Sequence, residues 1–220
     1  MIVQIYEVST PEEAAAISSF GADHIGVLVG DGAFPREQSI NRAKEIFRAI
    51  MAPSKGSALS LSADLKWIRE VVSELDPPIL HLGALTELLL PAHVRELKKD
   101  FPNLKIMRSI PVVGEESVPL AKAYDGVADI LLLDSHRPGD KQIGALGITH
   151  RWDLDRAIVE NVSIPVIIAG GLGPDNVAEA IRVTHPAGVD SKTRTDKQDG
   201  SHTKDLNKVR RFVEIAKSLK

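Results

Sequence analysis

Short apolar runs alternate with segments of helical periodicity along almost the whole chain. Two of these runs, at 130–133 and 166–168, are apolar at consecutive positions, which is typical of parallel strands covered on both faces. Segment 63–75 instead repeats its apolar residues with the 3.6-residue period of an amphipathic helix. This alternation predicts an α/β fold built on a parallel sheet.

The pattern divides into eight strand–helix units. The predicted strands cover residues 2–6, 24–29, 56–61, 78–82, 104–108, 129–134, 164–169 and 188–190. The predicted helices cover residues 11–20, 39–51, 63–75, 88–100, 115–124, 152–161, 174–185 and 203–219. Eight units in 220 residues fit a single (β/α)8 TIM barrel, with a doubly wound open sheet as the alternative.

The organisation of the chain favours one domain over residues 1–220, because no linker or break in composition divides it. In a barrel the functional loops follow the carboxyl ends of the strands. The longest irregular stretches, at 30–38, 136–151 and 191–202, all follow predicted strands, and are therefore the candidate functional loops.

Composition excludes several classes of function. The chain has 27 basic and 30 acidic residues, which argues against nucleic acid as a partner. It has no cysteine, which excludes disulfides, thiolate metal sites and cysteine nucleophiles. No apolar run is long enough for a membrane span and no basic leader is visible, so we expect a cytoplasmic protein that binds no membrane.

A candidate phosphate site lies after the seventh predicted strand. That strand runs directly into Gly170 and Gly171, and a predicted helix follows within a few residues. Glycines at such a turn let backbone N–H groups approach an anion closely, and a helix start adds partial positive charge. A tight left-handed turn without a ligand explains the two glycines equally well.

Several short motifs, in this order and spacing, resemble a known family. They are GAD at 21–23, IG at 25–26, PR at 35–36, LLLD at 131–134, GALGITHRW at 144–152, AGGLGPDNV at 169–177, GVD at 188–190 and KD at 204–205. The chain resembles phosphoribosylanthranilate isomerase, the barrel enzyme of tryptophan biosynthesis, over nearly its whole length. The resemblance implies an Amadori rearrangement of a phosphorylated sugar without metal or organic cofactor, and leaves a homodimer open.

The resemblance also implies roles for particular residues. Asp134 matches the family's general acid, which protonates the ribose ring oxygen. The family's general base is a cysteine in a Lys-x-Cys-Gly pattern at the end of the first strand, where this chain has Tyr6 and then Glu7. Arg36 matches an arginine that contacts the anthranilate end of the substrate, and Arg108, which ends the fifth predicted strand, is a further candidate for substrate binding.

The family holds its phosphate between the loops after strands seven and eight. Gly170, Gly171 and Leu172 match the first loop, while the Ser-Ser-Gly stretch of the second falls on the positions of Lys192, Thr193 and Arg194. Cationic side chains also bind phosphate, so the replacement either moves anion binding from backbone to side chain or leaves a solvated loop.

Three residues are candidates for the missing base. Tyr6 has a reference pKa near 10, so forming its phenolate at pH 7 costs roughly 4 kcal/mol. Glu7 is already ionised, but alternate strand residues point to opposite sides, so it faces away from Tyr6 unless the strand has ended. His81 has a reference pKa of about 6.5, which suits proton transfer. Each also has an explanation that needs no catalysis. Tyr6 fills the barrel mouth, Glu7 is a solvated surface carboxylate, and His81 is a hydrogen-bonded core histidine.

The missing cysteine keeps three functions open. The first is the family isomerisation, with Asp134 as acid. The second is a divergent enzyme that acts on another phosphorylated sugar or anion, which the cations at Lys192 and Arg194 favour. The third is a barrel without catalysis that binds a phosphate ligand or serves in assembly.

Overall fold

Eight parallel strands close into a barrel in a computed structural model of the chain, which describes residues 1–137, 139–140, 142–144, 149 and 151–219. Each strand pairs with its neighbour in sequence, and β8 pairs with β1 to close the ring. The strands are β1 Ile2–Ile5, β2 His24–Leu28, β3 Lys55–Ser60, β4 Ile79–Leu82, β5 Lys105–Val112, β6 Ile130–Ser135, β7 Val166–Ile168 and β8 Gly188–Ser191. The closed ring confirms the predicted TIM barrel and excludes the open sheet.

A helix follows each strand and packs outside the barrel. The helices are α1 Pro11–Ser19, α2 Ile40–Arg48, α3 Leu65–Leu75, α4 Pro91–Asp100, α5 Ser117–Tyr124, α6 Trp152–Asn161, α7 Val177–Thr184 and α8 Leu206–Ser218. Side chains of Thr10, Ser39, Asp64 and Asp205 accept backbone N–H groups at four helix starts, as expected for N-cap residues. No helix in the described part of the chain is both long and apolar enough to cross a bilayer.

The predicted elements are all present, with boundaries shifted by a few residues. Three differences bear on the site. Strand β5 continues to Val112, four residues beyond its predicted end. Helix α7 begins at Val177 instead of residue 174, because Asn176 holds the preceding turn. A 3-10 turn, Thr193–Thr195, follows β8 and was not predicted. All three differences lie in or after strands that carry candidate site residues.

Two apolar layers hold the barrel together. The larger one packs the outer faces of the strands against the helices. The smaller one fills the lumen with Tyr6, Ile79, Met107, Leu132, Ile167 and Ala169. At the carboxyl ends of the strands, next to this smaller apolar layer, the lumen opens into a cavity.

Candidate active site

One cavity at the carboxyl ends of the strands collects most of the predicted site residues. Asp134, which lies in β6, and the turn after β7 both line it. The predicted residues in the lining are Tyr6, Glu7, His81, Asp134, Gly170, Gly171, Leu172, Lys192, Thr193 and Arg194. The cavity therefore brings a carboxylate and a glycine turn together, as an enzyme acting on a phosphate ester requires.

The Asp134 carboxylate is positioned by backbone contacts. Its Oδ1 accepts a hydrogen bond of 2.8 Å from the Ser135 backbone N–H. Gly144 lies directly against the other oxygen, because a Cβ added there would be 1.9 Å from Asp134 Oδ2. Gly144 also has a φ of 84°, which L side chains rarely adopt, so a glycine is required beside the carboxylate. Of the predicted motif that starts at this glycine, residues 145–148 and 150 lie outside the described residues.

The glycine turn after β7 is held open toward the cavity. Gly170 and Gly171 have φ values of 77° and 62°, in the left-handed region. The Asn176 side chain closes the turn from behind: its Oδ1 accepts from Gly173 N at 2.8 Å and its Nδ2 donates to Gly171 O at 3.0 Å. The backbone N–H groups of Gly170 and Gly171 form no hydrogen bond with another described residue. They are donors suited to an anion.

The loop after β8 closes the other side of this turn. Ser191 Oγ donates a hydrogen bond of 2.7 Å to Leu172 O, which ties the two loops together. Arg194 forms an exposed ion pair with Asp175, with Nη1 and Oδ2 3.1 Å apart. Burial lowers the pKa of Lys192, and the negative charge of Glu7 partly offsets this effect. The second loop therefore presents two cations beside the glycine turn.

Glu7 faces the cavity mouth because β1 ends before it. The strand stops at Ile5, and Glu7 has a φ of 56°, a left-handed conformation that turns its side chain inward. Its Oε1 pairs with Lys192 and its Oε2 lies 2.8 Å from Arg36 Nη1. The alternative that Glu7 is a solvated surface carboxylate is wrong, since its side chain is 12% exposed. Both of its oxygens contact cations.

Arg36 lies beside the main cavity and is not among the residues that line it. Its guanidinium contacts Glu7 at the mouth, and the side chain lines a neighbouring cavity with Gln38 and His202. Any anionic group that approached Arg36 would therefore compete with the Glu7 carboxylate.

A closed network of hydrogen bonds holds Tyr6 and His81 in the lumen. The Tyr6 hydroxyl lies 2.7 Å from both Ser57 Oγ and His81 Nδ1, and His81 Nε2 lies 2.7 Å from Ser109 Oγ. Burial raises the pKa of the Tyr6 phenol well above its usual value, while burial lowers the pKa of His81 to about 3. Both side chains are therefore neutral at pH 7.

These pKa values argue against the prediction that either side chain is the general base. A phenol with a raised pKa yields almost no phenolate at pH 7, and an imidazole of pKa about 3 binds a proton too weakly to remove one from carbon. The structural explanations for Tyr6 and His81 fit better, because the two residues complete each other's hydrogen bonds in the lumen wall.

The prediction that Arg108 binds substrate is also wrong. Met107 and Ser109 point into the lumen, so Arg108 between them points outward, toward the helices. Its Nη1 donates a 2.7 Å hydrogen bond to Leu82 O, and its guanidinium carbon lies 5.3 Å from the centre of the Tyr124 ring. Arg108 is fully buried there and supports the barrel wall.

One carboxyl group in the cavity, that of Asp190, was not predicted as a site residue. Asp190 lies on β8, is 6% exposed and lines the same cavity as Asp134. Burial raises the pKa of Asp190 to about 8, and the charge of Asp134 adds to this effect. The signal in the sequence was an acidic residue within a short strand that is otherwise buried.

Comparison with known proteins identifies the family. A family model described as N-(5'-phosphoribosyl)anthranilate isomerase matches residues 91–215. A protein of that name from Methanocella arvoryzae is 32% identical over 219 residues, which is 99% of each chain. The chain belongs to the phosphoribosylanthranilate isomerase family.

Solved structures of phosphoribosylanthranilate isomerases share the fold over the whole chain. The enzyme from Pyrococcus furiosus superposes with a TM-score of 0.80 at 25% identity, and both chains are covered completely. Another isomerase of this name, solved in complex with reduced 1-(o-carboxyphenylamino)-1-deoxyribulose 5-phosphate, has a TM-score of 0.77 at 22% identity with complete coverage. The predicted family and fold are both confirmed.

Proposed function

We propose that this chain catalyses an Amadori rearrangement, the conversion of an N-phosphoribosyl amine to the corresponding aminoketose phosphate. One observation carries the proposal: Asp134 and the Gly170–Gly171 turn line the same cavity at the carboxyl end of the barrel. Membership of the phosphoribosylanthranilate isomerase family supports the reaction type. Residues 1–220 act as one barrel domain in this proposal.

One end of the cavity binds the phosphate and the other end carries out the proton transfer. The phosphate binds to backbone N–H groups at Gly170 and Gly171, and the nearby cations Lys192 and Arg194 favour its negative charge. Leu172 and Thr193 complete the lining at this end. The sugar then extends toward Asp134, which handles the proton that opens the ribose ring. Tyr6 and His81 form the floor of the sugar site and stay neutral.

The amine of the substrate is the open part of this proposal. Phosphoribosylanthranilate, with a carboxylate on its aromatic ring, is the first candidate because it is the substrate in the relatives' name. A second candidate is an N-phosphoribosyl amine without that carboxylate. The contact of Arg36 with Glu7 favours the second, since the cation at the mouth already has an internal carboxylate as its partner.

Turnover assays separate these substrates. Purified chain is mixed with phosphoribosylanthranilate and the loss of anthranilate fluorescence is followed; phosphoribosylaniline, which lacks the carboxylate, is followed by chromatography. Turnover of either compound supports the isomerisation, and the ratio of the two kcat/KM values identifies the amine. If neither compound is converted, the isomerase function is refuted, and the heat of binding of ribose 5-phosphate in calorimetry then shows whether the chain is a phosphate-binding barrel without catalysis.

The phosphate end of the site is tested by Gly171→Val. A β-branched residue at a φ of 62° carries strain of order 1–3 kcal/mol and adds a side chain where the anion approaches the backbone. We expect the affinity for ribose 5-phosphate, measured by calorimetry, to fall at least about tenfold, since a lost hydrogen bond to a charged group is worth roughly 1.5–3 kcal/mol.

Gly126→Val is the matched control for this variant. Gly126 has a φ of 73°, with no atom within 4 Å of an added Cβ, and precedes β6 at the opposite end of the barrel. It therefore carries the same backbone strain without touching the cavity. Equal loss of affinity in both variants, or unfolding of Gly171→Val alone, would contradict the placement of the phosphate.

Compartment and assembly remain predictions. A cytoplasmic location fits an enzyme that handles a metabolic sugar phosphate. A homodimer is supported by large apolar side chains that are about half exposed on the loops after β4 and β5, namely Leu88, Leu90 and Val113.

A further inference from the structure

Asp190 occupies an inward-facing position on β8, one residue before the strand ends. It lies in register with Gln4 on β1, and Gln4 Nε2 donates a 3.2 Å hydrogen bond to its Oδ1. Gln4 Oε1 in turn lies 3.1 Å from His24 Nδ1, deeper in the lumen. The Asp190 carboxyl therefore has a fixed position and lines the cavity together with Asp134.

The cations nearest to Asp190 are engaged by other carboxylates. Lys192 pairs with Glu7, and Lys204 pairs with Asp196. Both lower the pKa of Asp190, but the effects of burial and of the Asp134 charge are larger.

The remaining titratable neighbours of Asp190 carry no charge at pH 7. Burial keeps Tyr6 protonated, and burial lowers the pKa of His24 to about 4. On the β7 side, the lumen residues Ile167 and Ala169 are apolar. The principal charge that opposes ionisation of Asp190 is therefore a second carboxylate in the same cavity.

Two carboxyl groups in one buried site do not both ionise readily, because each negative charge raises the pKa of the other. Such a pair titrates as a unit and holds a single proton over a wide range of pH. We propose that Asp134 and Asp190 form a carboxyl pair sharing one proton, and that this pair supplies both the acid and the base of the isomerisation in place of the missing cysteine. This inference rests on the proposed function and assigns its proton transfers.

The proton balance of the reaction closes with this pair alone. The pair gives its proton to the ring oxygen as the C1–O bond breaks, and the nitrogen lone pair forms the C1=N bond. The pair, now doubly ionised, takes the proton from C2. The electrons of that C–H bond form the C1=C2 bond of the enaminol, and the π electrons of the C1=N bond return to nitrogen as its lone pair. The pair then protonates C1 and takes the proton of the C2 hydroxyl. The aminoketose results, and the pair again holds one proton.

The pair is detected directly by carboxyl ¹³C NMR on the whole chain labelled at aspartate Cγ. The resonance absent from Asp190→Asn identifies Asp190 in the wild type. We expect this resonance to titrate with a midpoint near pH 8, because burial and the charge of Asp134 raise the pKa of Asp190. In Asp134→Asn the midpoint should fall by at least about one pH unit. Asp100→Asn, an exposed change at the end of α4, should leave the midpoint in place. A midpoint below about 5, or one that Asp134→Asn does not move, overturns the pair.

Kinetics then test the role of the pair in catalysis. Wild-type kcat/KM should fall above about pH 8, when the pair loses its proton. In Asp190→Asn we expect kcat to fall by about 10²–10⁴-fold with the alkaline limb removed, while Asp100→Asn keeps the wild-type profile. Full turnover in Asp190→Asn overturns the inference and leaves the isomerase function standing. If the wild type converts neither substrate, the proposed function fails, and the NMR midpoints alone decide whether the pair exists.

Discussion

Asp134→Asn is expected to lower kcat for the isomerisation by about 10²–10⁴-fold, the usual contribution of a positioned acid or base. Asparagine keeps the size and the hydrogen bond from the Ser135 N–H but cannot exchange a proton with the sugar. Because the glycine turn is a separate part of the cavity, the affinity for ribose 5-phosphate should remain within about threefold of the wild type. Turnover is followed by fluorescence or chromatography, and affinity by calorimetry.

Two comparisons make this result specific. Asp100→Asn makes the same chemical change on the surface of α4 and should keep full activity, which excludes an unspecific effect of lost charge. The melting temperature of Asp134→Asn should stay within a few degrees of the wild type, since asparagine has nearly the same size and position 134 is only partly buried. Retention of more than a tenth of wild-type turnover would show that Asp134 is not a proton-transfer residue.

The order of strands and helices could be predicted because every strand–helix unit of the barrel has the same local sequence pattern. Consecutive apolar residues in parallel strands and the 3.6-residue stripe of the helices are local signals, and α6 begins and ends at the predicted residues. The start of α7 was less predictable. The Asn176 side chain forms hydrogen bonds with the backbone of Gly171 and Gly173, so the helix begins only after Asn176. A side-chain contact of this kind does not alter the hydrophobic periodicity from which helices are predicted.

The direction of side chains was harder to predict than the strands that carry them. Alternation on a strand gives two faces, but sequence does not say which face is the lumen. The apolar run stops at Arg108 and predicts a strand end there, whereas β5 continues four residues further and the side chain points outward. Strand alternation predicts that Glu7 faces away from Tyr6, but β1 ends at Ile5 and the left-handed backbone of Glu7 turns its side chain inward.

The polar contacts of the lumen join residues that are far apart in the sequence. Tyr6 meets His81 across 75 positions, and Gln4 meets Asp190 across 186. Only closure of the barrel creates these contacts, so the charge state of each group could not be predicted from the sequence. The family motifs predicted that Asp134 and the phosphate turn lie in one site, but the position of the Asp190 carboxyl in the same cavity emerged only from the structure.

Lys204→Met should cause the largest loss of stability, about 3–5 kcal/mol in the free energy of unfolding. The Lys204 side chain is fully buried, and its Nζ lies 2.5 Å from Asp196 Oδ1 and 3.2 Å from Lys192 O. Methionine fills a similar volume but leaves the Asp196 carboxylate buried without its cation. Urea unfolding measures the loss, which is a large share of the 5–15 kcal/mol typical of a domain.

Lys217→Met is the exposed counterpart, since it breaks the pair with Asp23, and should cost less than about 1 kcal/mol. The double variant Lys204→Met/Asp196→Leu should recover most of the loss, because no unpaired charge then remains in the interior. It should still bind ribose 5-phosphate more weakly than the wild type, since the Lys192 carbonyl and the Thr193–Thr195 turn lose the ammonium that anchors them. Equal losses in Lys204→Met and Lys217→Met would show that the buried pair is not what fixes the loop after β8.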